Sequence, residues 1–272
     1  MRGAFTAGVL DVFMENELYF PYVVGVSSGA LIAISYLSRQ IGRSRSVFID
    51  YMSDRNFVSK KFLLTKRSLF NFDYLFGELA QSKLPFDRDV FALSPIRFVV
   101  ATTSCLDGMA KYFVKGETEE FFHAVAASSS LPFMSMPVMV EGTPCLDGGM
   151  AVPIPYQKAL DDGFKKMVVI TTRDKNYRKD ESKRQFKTAL KALYAKYPNF
   201  VSTALKYPHS YNQCAEELER LEERGIALVI RPREPIMLRR TEKDKVELQN
   251  VYLRGRIAGL EMLPRVIEYI KK

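Results

Sequence analysis

Tyr22-Val23-Val24-Gly25-Val26-Ser27-Ser28-Gly29-Ala30-Leu31-Ile32-Ala33 is a β-branched apolar run, then a Gly-x-Ser-x-Gly pentapeptide, then a run of good helix formers. A strand entering a helix through a glycine-flanked serine has the layout of a nucleophile elbow. Such a tight turn forces the serine into a strained backbone region and leaves little room for neighbouring Cβ atoms, a need that Gly25 and Gly29 meet. Ser27 is then expected to stand exposed at a helix N-terminus, whose N–H groups favour developing negative charge. Two plainer readings compete. The pentapeptide also fits a structural turn between a buried strand and a buried helix. Leu18 to Ser38 carries no charged residue, and about 20 apolar residues suffice to cross a bilayer. Pro21, Gly25, the Ser27-Ser28 pair and Gly29 argue against a crossing, because they interrupt the span where lipid would demand unbroken backbone hydrogen bonding.

The rest of the composition is that of an ordinary globule with a large core: 272 residues, 47% hydrophobic and 26% charged. No basic segment followed by an apolar run and a cleavage site opens the sequence, so secretion is not indicated. Cys105, Cys145 and Cys214 are odd in number and lack metal-ligand spacing, which fits reduced thiols in a cytoplasm. The formal charge of +9 draws phosphate-rich partners, either nucleic acid or an anionic inner-membrane surface. Nucleic acid ranks last, since the basic residues are dispersed and no recognition motif accompanies them.

Outward from the elbow, residues 4–16 read as a helix with Leu10, Phe13 and Met14 on one face and Asp11 and Glu15 on the other. Phe48 to Phe91 is rich in aromatic residues without a clean period, and suits either a cap over an acyl-binding cleft or packing of helices onto a sheet. Pro95–Thr103 reads as a buried strand, turning at Asp107-Gly108 into Lys111–Val114. A helix at 119–127 stops at Ser128-Ser129-Ser130-Leu131-Pro132. A hairpin follows, from Pro137–Val140 through Glu141-Gly142 to Cys145-Leu146-Asp147-Gly148-Gly149, then a helix at 155–162 and a strand at 167–171. This alternation predicts an α/β fold of three layers, α/β/α, with a mainly parallel central sheet.

After Thr172 the composition turns abruptly basic, and a boundary is placed there, dividing residues 1–172 from a C-terminal accessory region, 173–272. That region is expected to open with a basic amphipathic helix in which Phe186, Ala189, Leu190, Leu193, Tyr194 and Tyr197 share a face, either docked on the protein or touching a membrane. A helix at 213–223, a strand at 226–230 and a terminal helix ending at Ile270 form a small α/β extension.

A serine hydroxyl needs a base, most often a histidine oriented by a carboxylate. The chain has two histidines. His123 falls on an apolar helix and reads as a packed or capped residue. His209 follows Asp147, so Ser27, Asp147 and His209 reproduce the chain order of α/β-hydrolases. No strand delivers His209 to a sheet edge, however, and Pro198, Pro208 and Tyr211 suggest a surface connection around it. The alternative is a carboxylate acting on the serine directly. Asp147 suits this, since Gly148-Gly149 after it allows close approach to another backbone loop.

Arg2-Gly3-Ala4 with Gly8, Gly25-Val26-Ser27-Ser28-Gly29, Ala127-Ser128-Ser129 followed by Pro132, and Asp147-Gly148-Gly149 resemble, in order, the motif blocks of the patatin-like phospholipases. The resemblance covers roughly residues 1–172; the segment after 173 looks like the accessory tail of bacterial members. It implies acyl-ester hydrolysis of lipids or phospholipids by a Ser27–Asp147 dyad, with no metal or organic cofactor and no catalytic histidine. Backbone amides near Arg2, Gly3 and Ser28 are expected to supply what remains of an oxyanion site, and Arg2 either holds phosphate or supports the loop, or is simply surface charge. In the family a strand and a run of glycines precede the Arg-Gly pair and donate N–H groups to the oxyanion. Here Met1 stands directly before Arg2. Met1 is therefore expected to be an internal methionine of a longer reading frame or the edge of a truncation, and this form to be impaired, since one lost oxyanion donor costs about 2.7–4 kcal/mol. A noncatalytic lipid- or membrane-surface protein on the same fold is the alternative from another functional class.

Overall fold

Short strands and helices alternate through residues 1–65, 68–182 and 187–271, the part of the chain that the computed structural model describes, with backbone alone at 63 and 64. In order they are α1 (Gly3–Glu15), β1 (Tyr22–Val26), α2 (Ser28–Leu37), α3 (Arg43–Ile49), α4 (Lys61–Thr65), α5 (Phe72–Phe76), a π-helical turn (Leu79–Lys83) and α6 (Arg88–Leu93). There follow β2 (Arg97–Ser104), β3 (Ala110–Val114), α7 (Phe121–Ser128), β4 (Val138–Val140), β5 (Thr143–Asp147), a 3-10 turn (Gly148–Met150) and α8 (Tyr156–Asp161). The chain closes with β6 (Met167–Ile170), α9 (Lys187–Leu193), α10 (Pro198–Glu223), β7 (Ala227–Ile230) and α11 (Lys245–Lys271). The uncharged span from Leu18 to Ser38 is thus a strand, a turn and a helix, and no helix among the described residues is long and apolar enough to cross a membrane.

The protein is α/β, with helices on both sheet faces. β2, buried from Phe98 to Ser104, is the axis of a five-stranded sheet. β1 runs parallel to it, while β3 and β5 pair with it antiparallel and β4 pairs antiparallel with β5. β6 and β7 form a separate parallel pair. The expected parallel pairing is therefore found in β1–β2 and β6–β7, and the five-stranded sheet is mixed rather than mainly parallel. Its antiparallel members come from the two hairpins, whose short turns can join only antiparallel neighbours.

Alternation along β5 sends Cys145 into the main core and Leu146 into a second cluster with Leu190, Tyr194, Phe200 and Val201 of the α9–α10 region. β7 divides in the same way. Leu228 and Ile230 join the main core, whereas Ala227 and Val229 pack with Leu218 and Leu221 of α10. Residues on both sides of position 172 therefore share strand pairing and core. The closest junction is between α1 and α11. A Cβ on Gly8 would lie 2.2 Å from the Tyr252 carbonyl oxygen, and one on Gly255 would lie 2.0 Å from that of Phe5. That crossing accounts for a departure from the expected first helix. Asp11 is buried, not on a polar face, and accepts hydrogen bonds from the Tyr252 hydroxyl at 2.7 Å and the Gly42 N–H at 3.1 Å.

Two further expectations change. The region around Pro208 is not a connection: α10 runs unbroken from Pro198 to Glu223, with Pro198 in its first turn and Pro208 inside it. Buried Phe200 and Val201 at one end and Leu218 and Leu221 at the other hold the helix across the hydrogen bond that Pro208 cannot donate. In the basic segment Leu190 and Tyr194 are docked, but Ala189 is exposed and Leu193 is 47% exposed. Phe186, together with Lys183 and Arg184, lies outside the described residues.

Candidate active site

The pairing of β2 brings Ser27 and Asp147 together. Ala101 pairs with Val26 on one side and Tyr112 on the other; the next residue, Thr102, pairs with Lys111 and Asp147. Since β3 occupies one edge of β2 at both positions, Val26 and Asp147 are successive neighbours on the opposite edge. β1 stops at Val26, the chain turns at Ser27, and β5 takes up the vacated edge with Asp147. Gly148 makes this possible, because a Cβ there would fall 2.2 Å from the Ala101 carbonyl oxygen.

Ser27 has φ 54° and ψ −126°, a strained conformation for a residue with a side chain. Gly25 is required by the turn: its Cβ would meet the Ala30 Cα at 2.7 Å. Gly29 is not, since a Cβ there meets nothing within 4 Å. The strained turn is clamped from the end of α7. The Ser27 N–H donates to Ser128 Oγ at 2.8 Å, the Ser128 hydroxyl donates to the Ala101 carbonyl at 2.7 Å, and the Ser129 hydroxyl donates to the Ser27 carbonyl at 3.1 Å.

Asp147 is 2% exposed. Its Oδ1 accepts from the Gly149 N–H at 2.8 Å, and its carbonyl accepts from the Thr103 hydroxyl at 2.8 Å, so the residue is held at both ends. Oδ2 is buried without a hydrogen-bond partner. Burial pushes the carboxyl pKa up to about 6, against the opposing influences of the Ser27 hydroxyl, the Gly149 N–H and the Arg240 charge. The Ser27 hydroxyl bears on the carboxyl, but no hydrogen bond joins it to Oδ2.

Arg2 immediately precedes Gly3, which packs on Ser28, the residue after the turn. Gly3 opens α1 and Ser28 opens α2, so both N–H groups lack intrahelical acceptors. The two helix starts are in contact, for a Cβ on Gly3 would be 2.8 Å from the Ser28 Cβ. The Arg2 Nε is buried without a partner. His209 is elsewhere: it projects from the middle of α10, with Nδ1 3.2 Å from Glu181 Oε2 and 59% of its side chain exposed. His123 is also exposed, 4.0 Å from Glu120, and not a packed core residue. Among the described residues, no three His, Cys, Asp or Glu side chains converge as a metal site.

A small apolar cavity of about 20 Å³ is lined by Leu31, Ile34, Val47, Phe48, Leu75, Phe76 and Phe86. Arg43 also lines it, with its guanidinium 5.0 Å from the Phe86 ring and its pKa lowered to about 10 by burial. Around the carboxylate stands a group of residues that no motif marks. Tyr207 of α10 carries a hydroxyl whose pKa is raised by burial and by the Asp147 charge, and the charges of Arg173 and Arg240 bear on Arg2. Abrupt basic composition after 172 was their one signal in the sequence.

The patatin-like phospholipase family model matches residues 1–160, and a domain of unknown function, DUF6363, matches residues 197–271. The chain is 32% identical over 176 residues to the uncharacterized protein YjjU of Escherichia coli strain K12, an overlap of 63% of this chain and 49% of that protein. This chain therefore spans about half the length of the curated relative it matches.

Proposed function

Because the chain belongs to the patatin-like phospholipase family, a family of lipid hydrolases, we propose that it is a serine acyl-ester hydrolase of lipids or phospholipids in which Ser27 is the nucleophile and Asp147 the base. The supporting observation is the juxtaposition of a strained Ser27 with a buried, half-partnered Asp147 whose pKa of about 6 lets it both take and return a proton near neutrality. In the first step the Ser27 Oγ–carbonyl carbon bond forms and the hydroxyl proton passes to Asp147 Oδ2. The N–H groups of Gly3 and Ser28 receive the oxyanion at two adjoining helix N-termini. Collapse breaks the bond to the leaving oxygen, which takes the proton from Asp147. Water then attacks the acyl carbon and gives a proton to the same carboxylate; collapse breaks the Ser27 Oγ–acyl bond, the proton returns from Asp147 to Ser27 Oγ, and the fatty acid leaves. In this reading residues 1–172 carry the chemistry and 173–272 cover the site, with the protein working in the cytoplasm against the inner surface of an anionic membrane.

The test is hydrolysis of a short-chain ester and a short-chain diacyl phospholipid by the full chain, alongside Ser27→Ala and Asp147→Asn. Each variant is expected to lose at least about a thousandfold in kcat/KM. Equal turnover by all three proteins refutes the assignment.

A further inference from the structure

Four cations gather within electrostatic reach of one another near the candidate site. Arg2 precedes the first helix, Arg173 and Lys179 follow β6, and Arg240 lies between β7 and α11. None of the four forms an ion pair among the described residues, although 40 basic residues share the chain with 31 acidic ones. Two of them lie against aromatic rings instead. The Lys179 ammonium is 4.4 Å from the centre of the Tyr207 ring and 4.9 Å from that of Tyr211, and the Arg173 guanidinium is 3.8 Å from that of Tyr177. Tyr207 connects this group to the reacting pair, since its hydroxyl feels the charges of Asp147, Arg240 and Arg2. A crevice opens beside it, lined by Arg173, Arg178, Tyr177 and Tyr211 and also by the carboxylates of Asp174 and Glu219.

Like charges gathered in a partly buried place repel one another and lose hydration, costs that an anion seated among them offsets. The cost is visible in two places. Arg2 Nε has no hydrogen-bond partner although it is buried. The Lys179 pKa is lowered to about 8 by burial and by the charges of Arg173, Arg2 and Arg240. A phosphate offers several strong acceptor oxygens to guanidinium and ammonium donors at once. The ester carbonyls of a glycerophospholipid lie only a few bonds from its phosphate, which matches a cation cluster whose Arg240 charge reaches Asp147.

We propose that Arg2, Arg173, Lys179 and Arg240 seat the phosphate of an anionic lipid, so that the hydrolase selects negatively charged headgroups over zwitterionic ones. This rests on the hydrolase reading above and adds the substrate class. Three of the four cations come from beyond residue 172, which gives the C-terminal region a part in substrate choice.

The full chain is assayed on diheptanoyl phosphatidylglycerol and diheptanoyl phosphatidylcholine below their critical micelle concentrations, where no lipid surface contributes. The expected kcat/KM ratio is about tenfold or more in favour of the glycerol lipid, expressed mainly in KM. Lys179→Ala and Arg240→Ala are each expected to cut that ratio at least about threefold, and Lys179→Arg to keep it. Arg240 is exposed, so its variant reports even where loss of Lys179 disturbs folding. A wild-type ratio near one overturns the proposal. A second arm titrates Ser27→Ala protein with the same two lipids and with inorganic phosphate. Preferential binding of the anionic lipid, displaced by phosphate, supports the seat even when no ester is turned over, in which case only the hydrolase reading fails. Phosphate binding without discrimination between the lipids marks a site for free anions and overturns the lipid assignment.

Discussion

Replacing Asp147 by asparagine should make the protein more stable while removing its chemistry. The carboxyl is 2% exposed and its pKa is pushed from 3.8 up to about 6 by burial. At neutral pH the folded protein therefore holds a charge that the unfolded chain carries more cheaply. The gap between the two values corresponds to about 3 kcal/mol at 1.36 kcal/mol per tenfold change. The sign follows from proton uptake: between pH 3.8 and 6 the folded state binds more protons than the unfolded one, so this group's contribution is greatest below pH 3.8 and is lost as pH rises through 6. Asparagine is neutral throughout. Its carbonyl oxygen can keep the 2.8 Å bond from the Gly149 N–H, leaving its amide where the partnerless Oδ2 stood. Denaturant unfolding of both proteins at pH 8 and pH 4 measures the difference, with other titrating groups cancelling between them. The variant should be more stable by about 3 kcal/mol at pH 8, equivalent to roughly 6–12 °C in Tm, and this advantage should shrink towards zero near pH 4. A variant less stable than wild type at pH 8, or an advantage equal at both pH values, would show that the buried carboxylate is not a stored cost of function.

Four other outcomes follow from the geometry. The kcat/KM of ester hydrolysis should fall about tenfold per pH unit below an apparent pKa of about 6, where Asp147 takes up its proton; a profile flat from pH 8 to pH 5 excludes it as the base. Gly25→Ala should cost several kcal/mol in unfolding free energy or abolish folding, because its methyl meets Ala30 backbone at 2.7 Å, whereas Gly29→Ala should change stability by less than about 1 kcal/mol; equal effects would contradict the elbow geometry. Gly255→Ala places a methyl 2.0 Å from the Phe5 carbonyl oxygen and should separate α11 from α1, seen as a large fall in Tm. His209→Ala should leave kcat/KM within about threefold of wild type, since the ring pairs with Glu181 on an exposed helix face; a loss of several orders of magnitude would restore a histidine-based triad.

Much of the site was legible because its requirements are local. Gly25, Ser27 and the β-branched run before them specify a turn within twelve residues, and the Asp147-Gly148-Gly149 triplet announces a carboxylate beside a closely approached backbone. Gly29 carried less than its motif position suggested, since nothing crowds it. What stayed hidden depends on partners distant in sequence. Asp11 looked solvent-facing because Tyr252, its hydrogen-bond donor, is 241 residues away. Pro208 looked like a helix boundary because the packing of Phe200 and Leu221 that carries α10 past it is tertiary. The antiparallel neighbours of β2 follow from which edge each hairpin takes, which no periodicity records. Arg173, Lys179 and Arg240 read as dispersed surface charge until the fold collected them near Asp147.

The central claim is that Ser27 is an activated nucleophile and Asp147 its base. Treating the full chain with a lipid-like fluorophosphonate at pH 8, followed by peptide mass spectrometry, tests it most directly. The expected result is one stoichiometric adduct on Ser27, formed at least about a hundredfold more slowly in Asp147→Asn. An adduct on another residue, or labelling of Ser27→Ala at the wild-type rate, contradicts it.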